Sequence, residues 1–334
     1  AMGSFGGVFS KVSATKLGAA AIKGAIEKCG INKDIIDEVF MGNVLQANLG
    51  QAPARQAAID AGLSDKIPCT TINKVCSSGM KSIMLGAQTI LCGDNDVVMV
   101  GGMENMSSVP HYLSNSRTGQ KLGDIKALDG LVKDGLTDVY NKKHMGVCAE
   151  LCAEDMNISR EEQDNYAIDS YKKSQSSIQN SIFDREITPV EVQLKKKSVI
   201  IKNDEEPHRV KFDKVKSLRP VFDKEGTVTA ANASTINDGA AVCIIMSADK
   251  AKELGISPIA EIVGHGSFSH DPEWFTTAPV YSMKELLKNT EVDINDIDLF
   301  EINEAFSVVT LAAIKNLNLD SSKVNIYGGA VSMG

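Results

Sequence analysis

Glu38-Val39-Phe40-Met41-Gly42-Asn43 and Asp298-Leu299-Phe300-Glu301-Ile302-Asn303 are two short apolar runs, each closing on asparagine, in distant parts of a 334-residue chain. Both read as brief buried strands, and the segments after them also correspond. Gln51 to Ala61 predicts a helix with Pro53 tolerated in its first turn, and Ala305 to Asn316 predicts its counterpart. Thr70 to Val75 and Val324 to Tyr327 are then extended segments leading into glycine-containing turns. Further helices are predicted over 16–28, with Leu17, Ala20, Ala21, Gly24 and Ala25 on one face, and over Tyr281 to Asn289. Gly79 to Leu91 carries a helical stripe of Met80, Ile83, Met84, Ala87, Ile90 and Leu91, and Asp96 to Val100 is a strand ending at Gly101-Gly102. Strands alternating with helices imply an α/β protein with a mostly parallel, buried sheet. The repetition implies two related α/β units.

The second unit opens with a strand, Ile259 to Val263, that has no partner in the first, where the chain starts at Ala1. The helix and strand expected after Cys76 have no counterpart after Gly334. The chain is therefore expected to be truncated at both ends. Between the units, residues 106–234 are more polar and less periodic, and they hold the basic stretches Lys195-Lys196-Lys197 and His208 to Arg219. They read as a large inserted loop domain over a scaffold, where ligand contacts concentrate. The division expected is 1–105 plus 235–258, the insert 106–234, and 259–334.

Hydrophobic residues make up 43% of the chain and aromatics 5%, which calls for an aliphatic core. A net charge of −8 argues against a nucleic-acid surface, and no apolar run is long enough for a membrane span. Seven dispersed cysteines do not form a secreted disulfide framework, so the expected compartment is reducing and intracellular. Cys148 and Cys152 lie four apart in an apparent helix with no further ligands to complete a zinc set.

Cys76 stands apart from the others because it lies between a strand and a helix, at the carboxyl end of a sheet, where α/β ligands bind. A helix N-terminus also favours a thiolate, the form that attacks a thioester carbonyl. The plainer alternative is a small buried hydrophobe.

The run Thr71-Ile72-Asn73-Lys74-Val75-Cys76-Ser77-Ser78-Gly79-Met80-Lys81 resembles the nucleophile motif of thiolases. Asn303-Glu304-Ala305-Phe306, Gly328 to Gly334, Thr229 to Ser234 and Asn237 to Ala241 resemble further motifs of that family, in order and spacing over essentially the whole chain. His144-Met145-Gly146 and Val132 to Tyr140 are similar to the branch that forms acetoacetyl-CoA. The resemblance implies a layered αβαβα fold and a reversible Claisen condensation of two acetyl-CoA to acetoacetyl-CoA and CoA. Cys76 would carry the acetyl group and its N–H would serve one oxyanion hole. Asn303 would hold a water at the other, although a helix N-cap would also explain that residue. A histidine and a second cysteine complete the chemistry in the family. Neither is found in its motif here, so this chain alone is expected to be acylated without completing condensation.

The resemblance further implies that coenzyme A lies along Arg209, Val210, Lys211, Lys214, Tyr171 and Ser234, with His144, Met145, Phe222 and Phe306 lining the acyl channel. It implies a potassium site at Tyr171, Ala230, Ala231, Ala233 and Val331, no redox cofactor, and a homotetramer built as a dimer of dimers. The compartment would be mitochondrial in a eukaryote and cytoplasmic otherwise. Rival readings are a 3-ketoacyl-CoA thiolase of broader chain length, a ketosynthase-type condensing enzyme, and a non-condensing acyl-CoA-binding relative. Lys195 to Lys197 read as a solvated loop between strands.

Overall fold

The computed structural model describes residues 1–195 and 197–334. Lys196 of the basic loop lies outside the described residues. In chain order the first part forms β1 (Gly3–Ser4), α1 (Ala14–Cys29), β2 (Glu38–Gly42), α2 (Pro53–Asp60), β3 (Cys69–Ile72), α3 (Ser78–Cys92) and β4 (Val97–Asn105). The insert holds the β5 (His111–Tyr112) and β6 (Leu128–Asp129) pair, α4 (Gly130–Gly135), α5 (Met145–Asp155) and α6 (Arg160–Gln179). The β7 (Val190–Gln193) and β8 (Ser198–Ile201) hairpin and α7 (Phe212–Val215) follow. The chain then forms β9 (Asn237–Met246), α8 (Ala248–Glu253), α9 (Ala278–Thr290), α10 (Ser307–Leu317) and α11 (Ala330–Met333).

The main sheet runs β1-β9-β4-β2-β3. It is mixed rather than mostly parallel. β2 is parallel to β3 and β4, but β9 is antiparallel to both β4 and β1. The cause lies in the insert. β4 runs on to Asn105, the chain departs, and it returns with Asp238 paired to Asn105. The insert is therefore the connection of one long hairpin, and a hairpin is antiparallel. Gly101 does not end β4. A Cβ there would lie 2.3 Å from the Ala241 carbonyl oxygen, so glycine admits β9 at close range.

One sheet face packs α1 and α2 around Ala14, Ile22, Met41, Ala57 and Met99, the aliphatic core that the composition calls for. The other packs α3 against Phe40, Val98 and Val100. The α3 stripe differs from the sequence expectation: Met80 and Leu91 are exposed, while Ser78, Ser82, Met84, Gly86 and Ala87 face inward. Small residues win because α3 lies almost on the sheet backbone. A Cβ on Gly42 would stand 2.6 Å from the Ser78 carbonyl carbon.

Helices α9 and α10 of the second unit form where the repeat places them, but its strands reduce to the bridge from Phe300 to Val324 and a local one from Ile326 to Gly328. Ile259 to Val263 forms no strand, and Ile259 and Val263 are exposed. No described strand lies beside it to supply ladder partners. The expected second β layer of an αβαβα stack is thus reduced to these two bridges among the described residues.

The insert is also more regular than its sequence suggests, since α6 spans 20 residues. Its buried face is Gln163, Asp164, Ala167, Ser170, Tyr171, Ser174 and Ser177, which leaves no hydrophobic periodicity to read. No helix among the described residues is long and apolar enough to cross a membrane.

Replacing Gly42 with alanine should destabilise the protein by about 1–3 kcal/mol, because the new methyl meets α3 backbone rather than a movable side chain. A lowered guanidinium midpoint with an unchanged slope is the expected denaturation result; an unchanged midpoint would show that α3 can shift freely.

Candidate active site

Cys76 sits on a tight elbow between β3 and α3. Val75, just before it, has φ of +48°, a left-handed conformation costly for a β-branched residue. Polar groups pin the turn. The Val75 N–H donates to Asn73 Oδ1 at 3.0 Å, Ser78 Oγ donates to the Val75 carbonyl at 2.6 Å, and the Lys74 N–H donates to Ser78 Oγ at 2.8 Å. The Cys76 N–H is not engaged by any acceptor on another described residue. The residue keeps an exposed surface, yet its sulfur is surrounded by enough protein to be desolvated. That crowding pushes the thiol above its ordinary value of 9.0, and the residue's own N–H only partly opposes it. Desolvation is the larger influence on the free thiol, and no charged group among the described residues opposes it.

His144, Met145, Phe222 and Phe306 come together. His144 stacks on Phe222 with centroids 4.7 Å apart, and Phe222 meets Phe306 edge-on at 6.3 Å. Met145 packs into the same cluster. Gly146 makes room for it, since a Cβ there would lie 2.1 Å from the Phe222 ring. His144 caps α5 by accepting from the Gly146 N–H at Nδ1, 3.0 Å away, which puts its proton on Nε2. Burial lowers its pKa and keeps it neutral. Phe275 also joins the cluster, 6.4 Å from Phe306. Sequence reading missed Phe275 because nothing in its local pattern separates it from an ordinary core aromatic.

The 227–234 loop is laid beside this cluster by polar contacts. Glu150 accepts from the N–H groups of Thr227 and Val228, and Asn232 Nδ2 donates to Asp164 Oδ1, whose other oxygen takes Arg160 Nε at 2.7 Å. Ala233 then bridges Phe306, and the Ser234 N–H donates to the Ala305 carbonyl at 3.1 Å. Tyr171 and Val331 form another buried group with Val210 and Phe212. Burial and the nearby Glu206 carboxylate push the Tyr171 phenol up to about 12. Beside Val210, Arg209, Lys211 and Lys214 are exposed, and Arg209 reaches Glu206 at 3.5 Å. No hydrogen bond among the described residues joins Cys76 to either group; β3 and α3 carry the sulfur, and the insert and second unit carry the rest.

Asn303 is not a helix N-cap. α10 begins at Ser307, with Phe306 in the cap position, because Phe306 is extended and pairs with Ala233. Asn303 is exposed and its amide is unbonded among the described residues, whereas the neighbouring Glu304 is fully buried. Glu304 accepts from Tyr166 Oη, Ser170 Oγ, Asn325 Nδ2 and the Val331 N–H at 2.7–3.0 Å. The sequence places Glu304 in a motif with Asn303 but gives it no role, since its hydrogen-bond partners are distant in the chain.

A cysteine on a strained strand-to-helix elbow, its N–H unclaimed by any other described residue, has the form that covalent acyl transfer uses. The comparisons give that class its family. The thiolase N-terminal domain matches residues 1–249 and the thiolase C-terminal domain matches 256–334. The chain belongs to the thiolase family. All of it aligns with the acetyl-CoA acetyltransferase of Schizosaccharomyces pombe at 52% identity, covering 85% of that protein. It also aligns in full with the human mitochondrial acetyl-CoA acetyltransferase at 53%, covering 78% of it, and with a cytosolic one of Gibberella zeae at 48%, covering 84%. A thiolase from Ascaris suum, solved in complex with coenzyme A, superimposes over the whole chain with a TM-score of 0.95 and 41% identity, covering 86% of that structure.

Alkylation of Cys76 by iodoacetamide in the free protein should accelerate about tenfold per pH unit from roughly pH 7 to 9 without levelling, because only the thiolate reacts. A plateau below neutrality, measured by mass spectrometry of the Cys76 peptide, would reveal a stabilising partner for the thiolate.

Proposed function

We propose that the protein is an acetyl-CoA C-acetyltransferase working through S-acetyl-Cys76. The observation that carries this reading is the Cys76 elbow in a chain about half identical, along its full length, to acetyl-CoA acetyltransferases. The Cys76 sulfur attacks the thioester carbonyl, the bond to the coenzyme sulfur breaks, and CoA leaves with the thiol proton. A second acetyl-CoA loses a methyl proton to the thiolate of a second cysteine, the group that takes it in the family, and its carbon attacks the acetyl carbonyl. A carbon–carbon bond forms, the bond to Cys76 breaks, and acetoacetyl-CoA departs. Exchange between sulfurs keeps the first stage nearly balanced. The open Cys76 N–H suits one developing oxyanion, and the free Asn303 amide suits the other, directly or through a water.

Coenzyme A is assigned to the insert. Arg209, Lys211 and Lys214 offer exposed cations for its phosphates, with Val210 beside them, and Tyr171 and Ser234 stand along the pantetheine. His144, Met145, Phe222, Phe306 and Phe275 form an aromatic end for a short acyl group, which favours the acetoacetyl substrate over a longer chain. The carbonyls of Ala230, Ala231, Ala233 and Val331 accept no hydrogen bond among the described residues. With the Tyr171 hydroxyl they make a neutral set of hard oxygens fit for potassium, which would stiffen the coenzyme loop. The division into 1–105 plus 235–258, 106–234 and 259–334, the dimer-of-dimers tetramer, and residence in mitochondria or cytosol belong to the same proposal.

Incubation with acetyl-CoA should add about 42 Da to the intact protein, on the Cys76 peptide, and Cys76→Ala should abolish the adduct. An unmodified, folded wild-type protein would favour an acyl-CoA-binding relative instead.

A further inference from the structure

We infer that Glu304 is the positioning residue that aims Asn303 at the reacting thioester, an inference that rests on the acyl-transfer reading above. Its carboxylate is fully buried, and no lysine, arginine or histidine pairs with it among the described residues. A lone buried anion is expensive unless its oxygens are filled by donors. Four donors fill them, from three parts of the chain. Tyr166 Oη at 2.7 Å and Ser170 Oγ at 2.8 Å come from α6, Asn325 Nδ2 at 2.8 Å from the bridge segment, and the Val331 N–H at 3.0 Å from α11. Gly329 leaves the space, because a Cβ there would stand 2.4 Å from the Glu304 carboxyl carbon.

The residue on the other side of Asn303 is pinned as well. Asn325 Oδ1 accepts from the Ile302 N–H at 2.8 Å, and its Nδ2 donates to the Ile302 carbonyl at 2.8 Å. Ile302 and Glu304 are thus buried and held, while Asn303 between them is exposed with a free amide. A segment built only for stability has no need to hold both flanks of an unbonded polar side chain. The same carboxylate fixes Val331, so the Asn303 loop and the glycine run share one anchor. Ser170 extends the anchor by accepting from the Gly329 N–H at 3.2 Å and meeting Ser332 Oγ at 3.1 Å. The substitution Glu304→Gln would keep the size of the side chain but face two donors with an NH2 group, which turns the cage without emptying it.

The test compares the two half-reactions in the full-length protein. Glu304→Gln should leave the rate of Cys76 acetylation by acetyl-CoA within about threefold, while kcat for acetoacetyl-CoA formation falls about 100-fold, as expected of an amide moved out of line. Adding Glu304→Gln to Asn303→Ala should slow the reaction no further, since the first residue acts through the second. Tyr166→Phe, which removes one of the four donors, should give a smaller loss of condensation with acetylation kept. Several results would overturn the inference. They are parallel loss of both half-reactions in Glu304→Gln, additive losses in the double variant, or unchanged condensation in a folded Tyr166→Phe. A wild-type protein that never acetylates Cys76 would instead remove the reaction itself, and the inference with it.

Discussion

A carboxylate with no solvent and no countercharge has to be caged by donors, and Glu304 meets that condition with groups drawn from α6, from the segment around Asn325 and from α11. Two of those parts, and the segment that bears Glu304 itself, carry something the proposed chemistry uses. α6 bears Tyr171, the segment before Glu304 bears Asn303, and Val331 lies in α11. Removing the anion would leave several buried donors unmatched at once, at a cost of about 1–3 kcal/mol each. The cage therefore ties the geometry of the site to the folding of the insert and second unit. It does so without the hydrophobic stripe that usually marks such a junction.

The first unit solves a different problem, which is to hold a cysteine in an unfavourable turn. The strain at Val75 is sustained because Asn73 and Ser78 hydrogen-bond the turn and α3 is pressed onto β2 and β4 through glycines. Burial raises the pKa of the thiol so presented, and no charged group among the described residues offsets it. Crowding that opposes a free thiolate does not oppose the neutral thioester it becomes, so the desolvated setting suits the acylated state better than the free one.

How legible this was depends on the period of each pattern. The helices α1, α2 and α3 and the strands β2, β3 and β4 follow apolar periodicity, and the motif at Cys76 follows local spacing, so both could be read directly. The helix α6 could not, because its inner face is serine, glutamine and aspartate; only its capping box, Ser159 with Glu162, gave a local signal. The direction of β9 depends on where a long insert returns, and no local pattern encodes that. Ile259 to Val263 has a strand's composition, but a ladder needs a neighbour as well as a propensity. Asn303 was open to a capping role from sequence because the motif ends in a helix; the pairing of Phe306 with Ala233 delays that helix past it. Glu304 stood in the same motif without a readable role, because its hydrogen-bond partners are distant in the chain.

The central claim is that an acetyl group rests on Cys76 at the elbow while its coenzyme lies over the insert. A crystal structure of the protein after exposure to acetyl-CoA tests it most directly. The expected result is continuous density for an acetyl group on Cys76 Sγ, with the nucleotide beside Arg209 and Lys214 and the pantetheine passing Ser234. An unmodified Cys76, with the coenzyme bound elsewhere or another cysteine acetylated, would contradict it.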